Sequence, residues 1–340
     1  MASGADRISD LPDDVIHHVL SLLPSRDAVR TCALARRWRD LWRSVPAVRV
    51  AGDRGWASFD ALARFVDSLL RLRRGGAALD ACDFDLRFDG AFPGEELQGD
   101  TWIRRALRRQ VRALRFAVST HPRVPIPLSD SPLVSHSLTT LELRGVQGND
   151  QVLDFSSCPS LVDLKMKDCY VGGLEMWSPS LKHLSMTYCV FYCDYRTRMD
   201  FPSLVTFKFN TNTGRTPLLE TMPSLATAAY LFNRDLKWCS TFSKLKTLFL
   251  NAWFVAPDLS ALAWFLQHTP LLERLFLRVS KLLILCVLVS TPRINKTKAV
   301  HGSKYVFDGT DIVSLALKGS QFSTYVGVSG AFADLTLRQY

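Results

Sequence analysis

The 340-residue sequence lacks the motifs by which common enzyme classes and metal sites are recognised. It contains no P-loop, no G-x-G-x-x-G, no H-E-x-x-H and no G-x-S-x-G. Its eight cysteines include no pair at C-x-x-C spacing, and the two nearest in sequence, Cys189 and Cys193, have no second pair to complete a zinc site. We therefore expect no catalytic residues, no metal and no cofactor, and we expect that the protein is not an enzyme.

Long hydrophobic runs and targeting signals are also missing. The longest apolar run, Leu282 to Val289, falls far short of the ~20 residues that a membrane-spanning helix needs. The first residues show neither the basic segment nor the apolar core of a secretory signal. A hydrophobic fraction of 47% with 22% charged residues is typical of a globular chain. We expect a folded intracellular protein, nuclear or cytoplasmic, with reduced cysteines and no membrane partner.

Positive charge is in excess, since the formal net charge is +10. Part of it lies in TWIRRALRRQ, residues 101–110, where four arginines occupy the polar side of an amphipathic helix. This arginine stripe has two interpretations, a contact to nucleic acid or phosphate and a solvated helix face. The solvated face is favoured, because no aromatic platform and no recognised DNA-binding motif accompanies the stripe. Nucleic acid is therefore the less favoured partner.

Three short helical signals occupy the first fifty residues. Leu11-Pro12 followed by two aspartates marks a helix N-terminus, because proline is tolerated in the first turn and acidic groups complement the helix dipole. Apolar residues then recur at helical spacing until Pro24, a second apolar helix starts at Ser25, and a basic third helix contains RRWRDLW. So short a segment buries too little apolar surface to be stable alone, so we predict that it shares an apolar face with a partner.

This order of signals resembles the F-box, the module that docks onto the Skp-type adaptor of a cullin-RING ubiquitin ligase. An ordinary helical bundle is the alternative interpretation of the same residues. The resemblance implies that residues 7–50 bind the adaptor and, through it, a cullin. The adaptor-binding residues that it implies are Leu11, Pro12, Val15, Ile16, Leu20, Leu23, Pro24, Val29 and Trp38.

A second pattern, apolar-x-x-apolar-x-apolar-x-x-(small, Cys or Asn), recurs from residue 111 to residue 280. Its copies follow one another at intervals within the roughly 20 to 29 residues of leucine-rich repeats. Each copy predicts a strand with two inward apolar residues, and stacking of the copies creates one continuous core. The last position of the pattern should also turn inward, where an asparagine amide can satisfy backbone groups at the bend. The residues concerned are Cys169, Cys189, Asn212 and Asn233.

The sequence thus predicts an α/β fold in which a three-helix F-box precedes a leucine-rich-repeat solenoid with parallel strands on its concave face. We predict an F-box over 7–50, a linking helix and first strand over 51–100, the solenoid over 101–280 and a divergent tail over 281–340. In the tail the repeat pattern is lost, and residues 282–289 are expected to dock as one last strand. The chain resembles the plant F-box proteins with leucine-rich repeats of the FBD-associated class, with a divergent or truncated C-terminal region.

The resemblance implies a substrate-recognition subunit of an SCF-type ubiquitin ligase, with an unknown protein target bound by the repeats. Strand alternation places the residues between the inward ones on the concave face. Because early copies are basic there and late copies apolar, the target should offer acidic groups and an apolar anchor. The alternative function is a basic scaffold that binds protein or nucleic acid independently of ubiquitination. The target-binding candidates are Arg115, Arg144, Lys165, Lys167, Lys208, Leu231, Phe249 and Phe276.

Overall fold

A computed structural model gives the architecture of most of the chain. For a few strand residues, and for all those after residue 274, the backbone alone is described. The described residues are 11–52, 56, 58–77, 79–89, 98–121, 124–149, 153–210, 212–220, 222–230, 242–251, 268–278, 312–316, 322–328 and 331–337.

The N-terminal module is helical, as its sequence predicts. Helix α1 spans Asp13–Leu22 and α2 spans Ser25–Arg30. Three short 3-10 turns follow, at Thr31–Ala33, Arg36–Arg39 and Leu41–Ser44. The predicted third helix is therefore wrong as a continuous element, because its residues form two 3-10 turns that are separated at Asp40, where φ is −117°.

The module has a small core of its own. Its fully buried apolar side chains are Ile16, Leu20, Ala28, Trp38 and Val45. The first and third helical segments are also joined by an ion pair, with Arg37 Nη2 at 2.6 Å from Asp13 Oδ1. Packing and charge together make the module a folded unit rather than a set of loose helices.

Parallel strands then build one long sheet. The order along the sheet is β1-β2-β3-β5-β7-β10-β13-β16-β17-β18-β19, and every pair except the last is parallel. Two helices, α3 at Phe59–Leu72 and α4 at Gly99–Arg108, connect the first three strands. The strands of the long sheet are β1 Ala47–Ala51, β2 Ala81–Asp89, β3 Ala113–His121, β5 Thr140–Arg144, β7 Asp163–Lys167, β10 His183–Thr187, β13 Thr206–Asn210, β16 Thr227–Tyr230, β17 Thr247–Asn251, β18 Arg274–Arg278 and β19 Ile312–Ala316.

Shorter strands complete each turn of the solenoid. One further sheet has the order β14-β11-β8-β6-β4 and another the order β15-β12-β9, again with parallel neighbours. A hairpin of β20 and β21 lies in the tail. The shorter strands are β4 Ile126–Pro127, β6 Val146–Gly148, β8 Tyr170–Val171, β9 Glu175–Trp177, β11 Val190–Phe191, β12 Arg198–Asp200, β14 Thr213–Gly214, β15 Leu218–Leu219, β20 Phe322–Val328 and β21 Ala331–Leu337.

The long sheet begins earlier than the sequence predicts. Residues 47–51, expected as a link, form its edge strand β1, and β2 is its second strand. The sheet continues through the predicted boundary at residue 100 without interruption. The reason is that alternate apolar residues of β1, Val48 and Val50, are buried in the same core as the repeats.

The repeat pattern is confirmed by the register of the strands. Leu141 lies opposite Leu164, and Leu164 opposite Leu184, each fully buried. Their neighbours Glu142, Lys165 and Ser185 alternate onto the other side of the sheet. The side that carries these alternate residues is the face predicted as concave, and it is called the open face below.

Polar groups inside the solenoid are satisfied as predicted at the end of each copy. Asn212 is such a residue: its Oδ1 accepts from the backbone N–H of Cys189 at 2.7 Å and its Nδ2 donates to the carbonyl of Met186 at 3.3 Å. The buried thiol of Cys169 donates to the carbonyls of Leu143 and Lys167. Asn233 and the run 282–289 lie outside the described residues.

Substitution at Leu164 tests the register. Leu164→Ala should lower the free energy of unfolding by ~2–5 kcal/mol, because it removes a fully buried side chain. Lys165→Ala, one residue further along β7 and exposed, should change it by less than about 0.5 kcal/mol. Urea unfolding followed by circular dichroism measures both, and equal losses would show that the register is displaced by one residue.

Asn212→Ala should destabilise the solenoid by ~1–3 kcal/mol, since it leaves the Cys189 N–H and the Met186 carbonyl without their partner. Asn210→Ala, at the end of β13 and on the open face, is the matched control and should have little effect. The melting temperatures of the two variants test this prediction. Similar shifts would contradict the structural role of the Asn212 amide.

Candidate protein-interaction surfaces

Helix α1 divides its apolar residues between two adjacent stripes. Ile16 and Leu20 point into the core of the module. Val15, Val19 and Leu22 follow one another at intervals of four and three residues, which places them on a second stripe of the helix. These three side chains are 42%, 45% and 63% exposed. They are called the apolar stripe below.

The predicted adaptor-binding residues therefore fall into different environments. Three of them, Ile16, Leu20 and Trp38, have side chains buried within the core of the module. Val15, Pro12 and Pro24 are exposed, and Leu11, Leu23 and Val29 are half-buried.

Three exposed apolar residues of the module are not among the predicted adaptor-binding residues. They are Val19, Leu22 and Leu34, and Leu34 is 71% exposed. A signal for the first two was present, because the apolar residues from Val15 to Leu23 span too wide an arc of the helix for a small module to bury completely. Nothing in the local pattern singles out Leu34.

The module is fixed to the sheet by several contacts. The hydroxyl of Ser25, the first residue of α2, accepts from the backbone N–H of Arg49 at 2.9 Å. Arg49 Nε donates to the carbonyl of Ser21 at 2.9 Å. The buried guanidinium of Arg73 donates to the carbonyl of Val45, and Trp42 belongs to the long core. The apolar stripe is thus held at a defined position relative to the open face.

The first strands of the open face carry a network of ion pairs. Arg115 on β3 lies between two acidic residues in register, Asp83 on β2 and Glu142 on β5. Its guanidinium is 2.7 Å from Asp83 and 3.3 Å from Glu142. It also approaches Asp85 at 3.5 Å. The predicted basic character of this part of the face is therefore wrong, because the charge of Arg115 is already balanced within the sheet.

The same network lowers the pKa of the Asp85 carboxyl. Burial alone would raise the pKa of Asp85, but the hydrogen bond from Arg87 and the charges of Arg115 and Arg87 outweigh it, so the pKa lies below its ordinary value. A carboxyl of this kind stabilises the fold above its unfolded pKa and loses that contribution as the pH falls through its folded pKa.

Arg115→Gln should therefore bring the pKa of Asp85 back towards its ordinary value of about 3.9. In an acid titration below about pH 4, the variant should begin to unfold at a higher pH than the wild type. Arg64→Gln, which removes an exposed arginine on α3, is the control and should leave the profile unchanged. Identical acid-unfolding profiles for the two variants would show that the ion-pair network does not stabilise the fold.

The middle strands of the open face differ from the first ones. Arg144 on β5 is paired with Asp168 at 3.0 Å. Lys165 and Lys167 on β7 and Lys208 on β13 are exposed. Within the part of the chain that the structure describes, these three lysines form no ion pair. Positive charge without an ion-pair partner among the described residues is thus present on the middle strands of this face.

The apolar end of the open face is described only in part. Phe249 on β17 is 39% exposed, as its predicted role in contact requires. Phe276 lies opposite it in register on β18, where the backbone alone is described. Leu231 lies outside the described residues.

The arginine stripe of α4 is used inside the protein. Arg104 pairs with Asp100 at 3.0 Å and donates to the carbonyls of Ser131 and Pro132. Arg105 lies 2.6 Å from Asp67 on α3. Arg109 donates to the carbonyls of Leu70 and Arg74 at 3.4 Å. Three of the four arginines therefore fasten this helical segment to its neighbours, which corrects the expectation of a merely solvated face and weakens a nucleic-acid contact there.

Comparison with known proteins assigns the N-terminal module. The family model of the F-box domain matches residues 8–48. A meiotic F-box protein of rice, Oryza sativa subsp. japonica, is 32% identical over 222 residues, 60% of this chain and 45% of its own length. A putative F-box/FBD/LRR-repeat protein of Arabidopsis thaliana is 31% identical over 56% of this chain and 35% of its own. An FBD-associated F-box protein of the same plant is 30% identical over 66% and 60%.

The chain carries an F-box domain at residues 8–48, and a solenoid of parallel strands follows it. It is similar to the plant F-box proteins named for their FBD region and leucine-rich repeats, and the resemblance drawn from the sequence is confirmed. The chain spans less than two thirds of the length of each of these three relatives. No helix among the described residues is both long and apolar enough to cross a membrane.

Proposed function

We propose that this protein is a substrate-recognition subunit of an SCF-type cullin-RING ubiquitin ligase. Its F-box would dock onto a Skp-type adaptor, and through it a cullin, while the open face of the solenoid would bind a protein target. The apolar stripe carries the proposal: the module has a complete core without Val15, Val19 and Leu22, and still exposes them. Exposed apolar residues grouped on one face of a helix are typical of an interface.

Burial of the stripe would supply enough free energy for docking. Fully burying a valine or leucine side chain contributes ~1.5–3 kcal/mol, and the three residues of the stripe are only partly covered in the free protein. Leu34 adds a further exposed side chain on the same module. Half-buried Leu11 and Leu23 would extend the contact at its edge.

The junction between module and sheet gives the proposed receptor its geometry. A ligase subunit must hold its target at a defined place relative to the adaptor, which a flexible linker would not do. Here the hydrogen bonds from Arg49 to Ser21 and Ser25, together with buried Trp42, replace a linker by packed structure. The role needs no catalytic group in this chain.

The alternative, a basic scaffold that binds protein or nucleic acid independently of ubiquitination, rests on the net charge of +10. The ion pairs of Arg104, Arg105 and Arg115 reduce the support for it, because each of these cations already contacts a carboxylate. Salt-sensitive retention on DNA of any sequence would favour this alternative.

Replacing both Val19 and Leu22 by Asp should abolish co-purification of the full-length chain with a Skp-type adaptor. A carboxylate in a desolvated interface without a partner costs several kcal/mol, roughly 2–7 kcal/mol for an uncompensated polar group. The melting temperature should stay near that of the wild type, because both positions are exposed.

Two control variants separate docking from folding. Val134→Asp, at an exposed valine of the solenoid, should retain the adaptor. Leu20→Asp should lose the adaptor and also lower the melting temperature, since Leu20 belongs to the module core. Point variants are preferable to deletion of residues 1–50, which would also remove Val48 and Val50 from the long core. Full adaptor binding by the double variant would overturn the proposed docking surface.

A further inference from the structure

We propose that the middle of the open face binds an extended anionic segment of the target, held by Lys165, Lys167 and Lys208. These three residues are called the lysine patch. The inference rests on the proposed function in one respect, namely that the bound segment belongs to a ligase target. The charges and strand positions from which the patch is argued do not depend on that function. It assigns a chemical class, carboxylate-rich or phosphorylated peptide, to a ligand that the fold alone leaves open.

The contrast between neighbouring strands is the first argument. On β2, β3 and β5 the cations and anions alternate in register, so that Arg115 meets Asp83 and Glu142. On β10 and β13 the residues in the same row are Ser185 and Lys208. Ion pairs thus neutralise Arg115 on the first strands, whereas the lysines of β7 and β13 have no ion-pair partner among the described residues. A complementary anion from outside would supply the missing partner.

The groups between the lysines are suited to an anion as well. Ser185 stands between Lys165 and Lys208 in register, and Thr187 lies beside Lys167. Hydroxyl groups donate hydrogen bonds to carboxylate or phosphate oxygens. Because strands are spaced by ~4.8 Å, the backbones at Lys165 and Lys208 are about 10 Å apart. An extended peptide in the polyproline II conformation advances about 9.3 Å in the three residues of one turn, so that residues i and i+3 lie on the same face. A segment that crosses the strands can therefore place an acidic side chain near each lysine.

Tyr188 marks the rim of the patch. Its φ of 56° is left-handed, and the corresponding corner positions of the two preceding turns hold Gly145 and Asp168, residue types that adopt this conformation more readily. The side chain of Tyr188 is nevertheless 49% exposed, so burial does not account for a tyrosine at this corner. An aromatic side chain kept in a strained, exposed position beside a charged patch is explained by contact with a ligand.

A peptide fits this surface better than a nucleic acid does. Glu142 lies directly opposite Lys165, and Asp163 lies two residues before it on the same face. These carboxylates would repel a continuous phosphate backbone, whereas a peptide can place neutral residues against them. The patch also lacks a row of aromatic side chains for base stacking among its described neighbours.

Fluorescence anisotropy with the full-length chain and labelled decapeptides tests the inference. One peptide carries aspartate at every third position among alanines, a second carries phosphoserine at those positions, a third carries lysine, and a labelled single-stranded RNA of ten nucleotides is added. Both anionic peptides should bind, the lysine peptide should not, and binding should weaken between 50 and 300 mM salt because exposed ion pairs are screened. The stronger of the two anionic peptides identifies carboxylate or phosphate as the natural group.

The variant Lys165→Glu/Lys167→Glu/Lys208→Glu should weaken the binding of both anionic peptides by at least about tenfold. Its matched control, Lys182→Glu/Lys244→Glu/Arg64→Glu, reverses the same number of exposed cations away from the patch and should retain affinity. Tyr188→Gly should weaken binding while leaving the fold at least as stable, because it relieves the left-handed backbone.

The outcomes separate this inference from the proposed function. Adaptor binding by the wild type without affinity for either anionic peptide would overturn the lysine patch and leave the ligase role standing. Peptide binding without adaptor binding would support the lysine patch and contradict the proposed ligase role. Equal losses in the two triple variants, or tighter binding of the RNA than of both peptides, would overturn the assignment of an anionic peptide.

Discussion

The structure depends on the register of its parallel strands. Each strand of the long sheet pairs with its neighbour so that inward residues meet inward residues, as Leu164 does with Leu141 and Leu184. The same register fixes the outward rows, because successive residues of a strand alternate between the two sides. The core and the open face are therefore set by one constraint, and a displacement by a single residue would exchange them.

The helical module is subject to a different constraint, the shortage of apolar volume. Its small core uses Ile16 and Leu20 of α1, and the remaining apolar residues of that helix stay on the surface. The edge strand β1 extends the long core up to the module, so that Val48 and Val50 are buried with the repeats. The module can then expose an apolar stripe without losing its fold, since its attachment to the sheet supplies stability that its own core does not.

Much of this arrangement could be predicted from the sequence, because the inward positions repeat with a period of two within each strand. Leu164 was placed correctly on that basis, and Cys169 and Asn212 were placed correctly from the last position of the repeat pattern. In α1 the same reasoning fails to separate Leu20 from Val19, since both are apolar and adjacent, and only the packing of Trp38 and Val45 decides which is buried. Ser25 shows the same limit: its hydroxyl has a local use as a helix cap, but a residue far along the chain, Arg49, takes it.

Charge is the property for which the sequence is least informative here. A net charge of +10 suggests a uniformly basic surface, yet whether an arginine attracts a partner depends on which residues lie opposite it in the sheet. Arg115 lies 32 residues from Asp83 and 27 from Glu142 in the chain, and the strand register brings all three together. Lys165 and Lys208 lie further along the same row, on either side of Ser185, and form no ion pair among the described residues, although Glu142 lies opposite Lys165. The pairing of strands thus converts an even distribution of basic residues into one balanced region and one region of free positive charge. Only the second has electrostatic free energy to gain from an anionic partner.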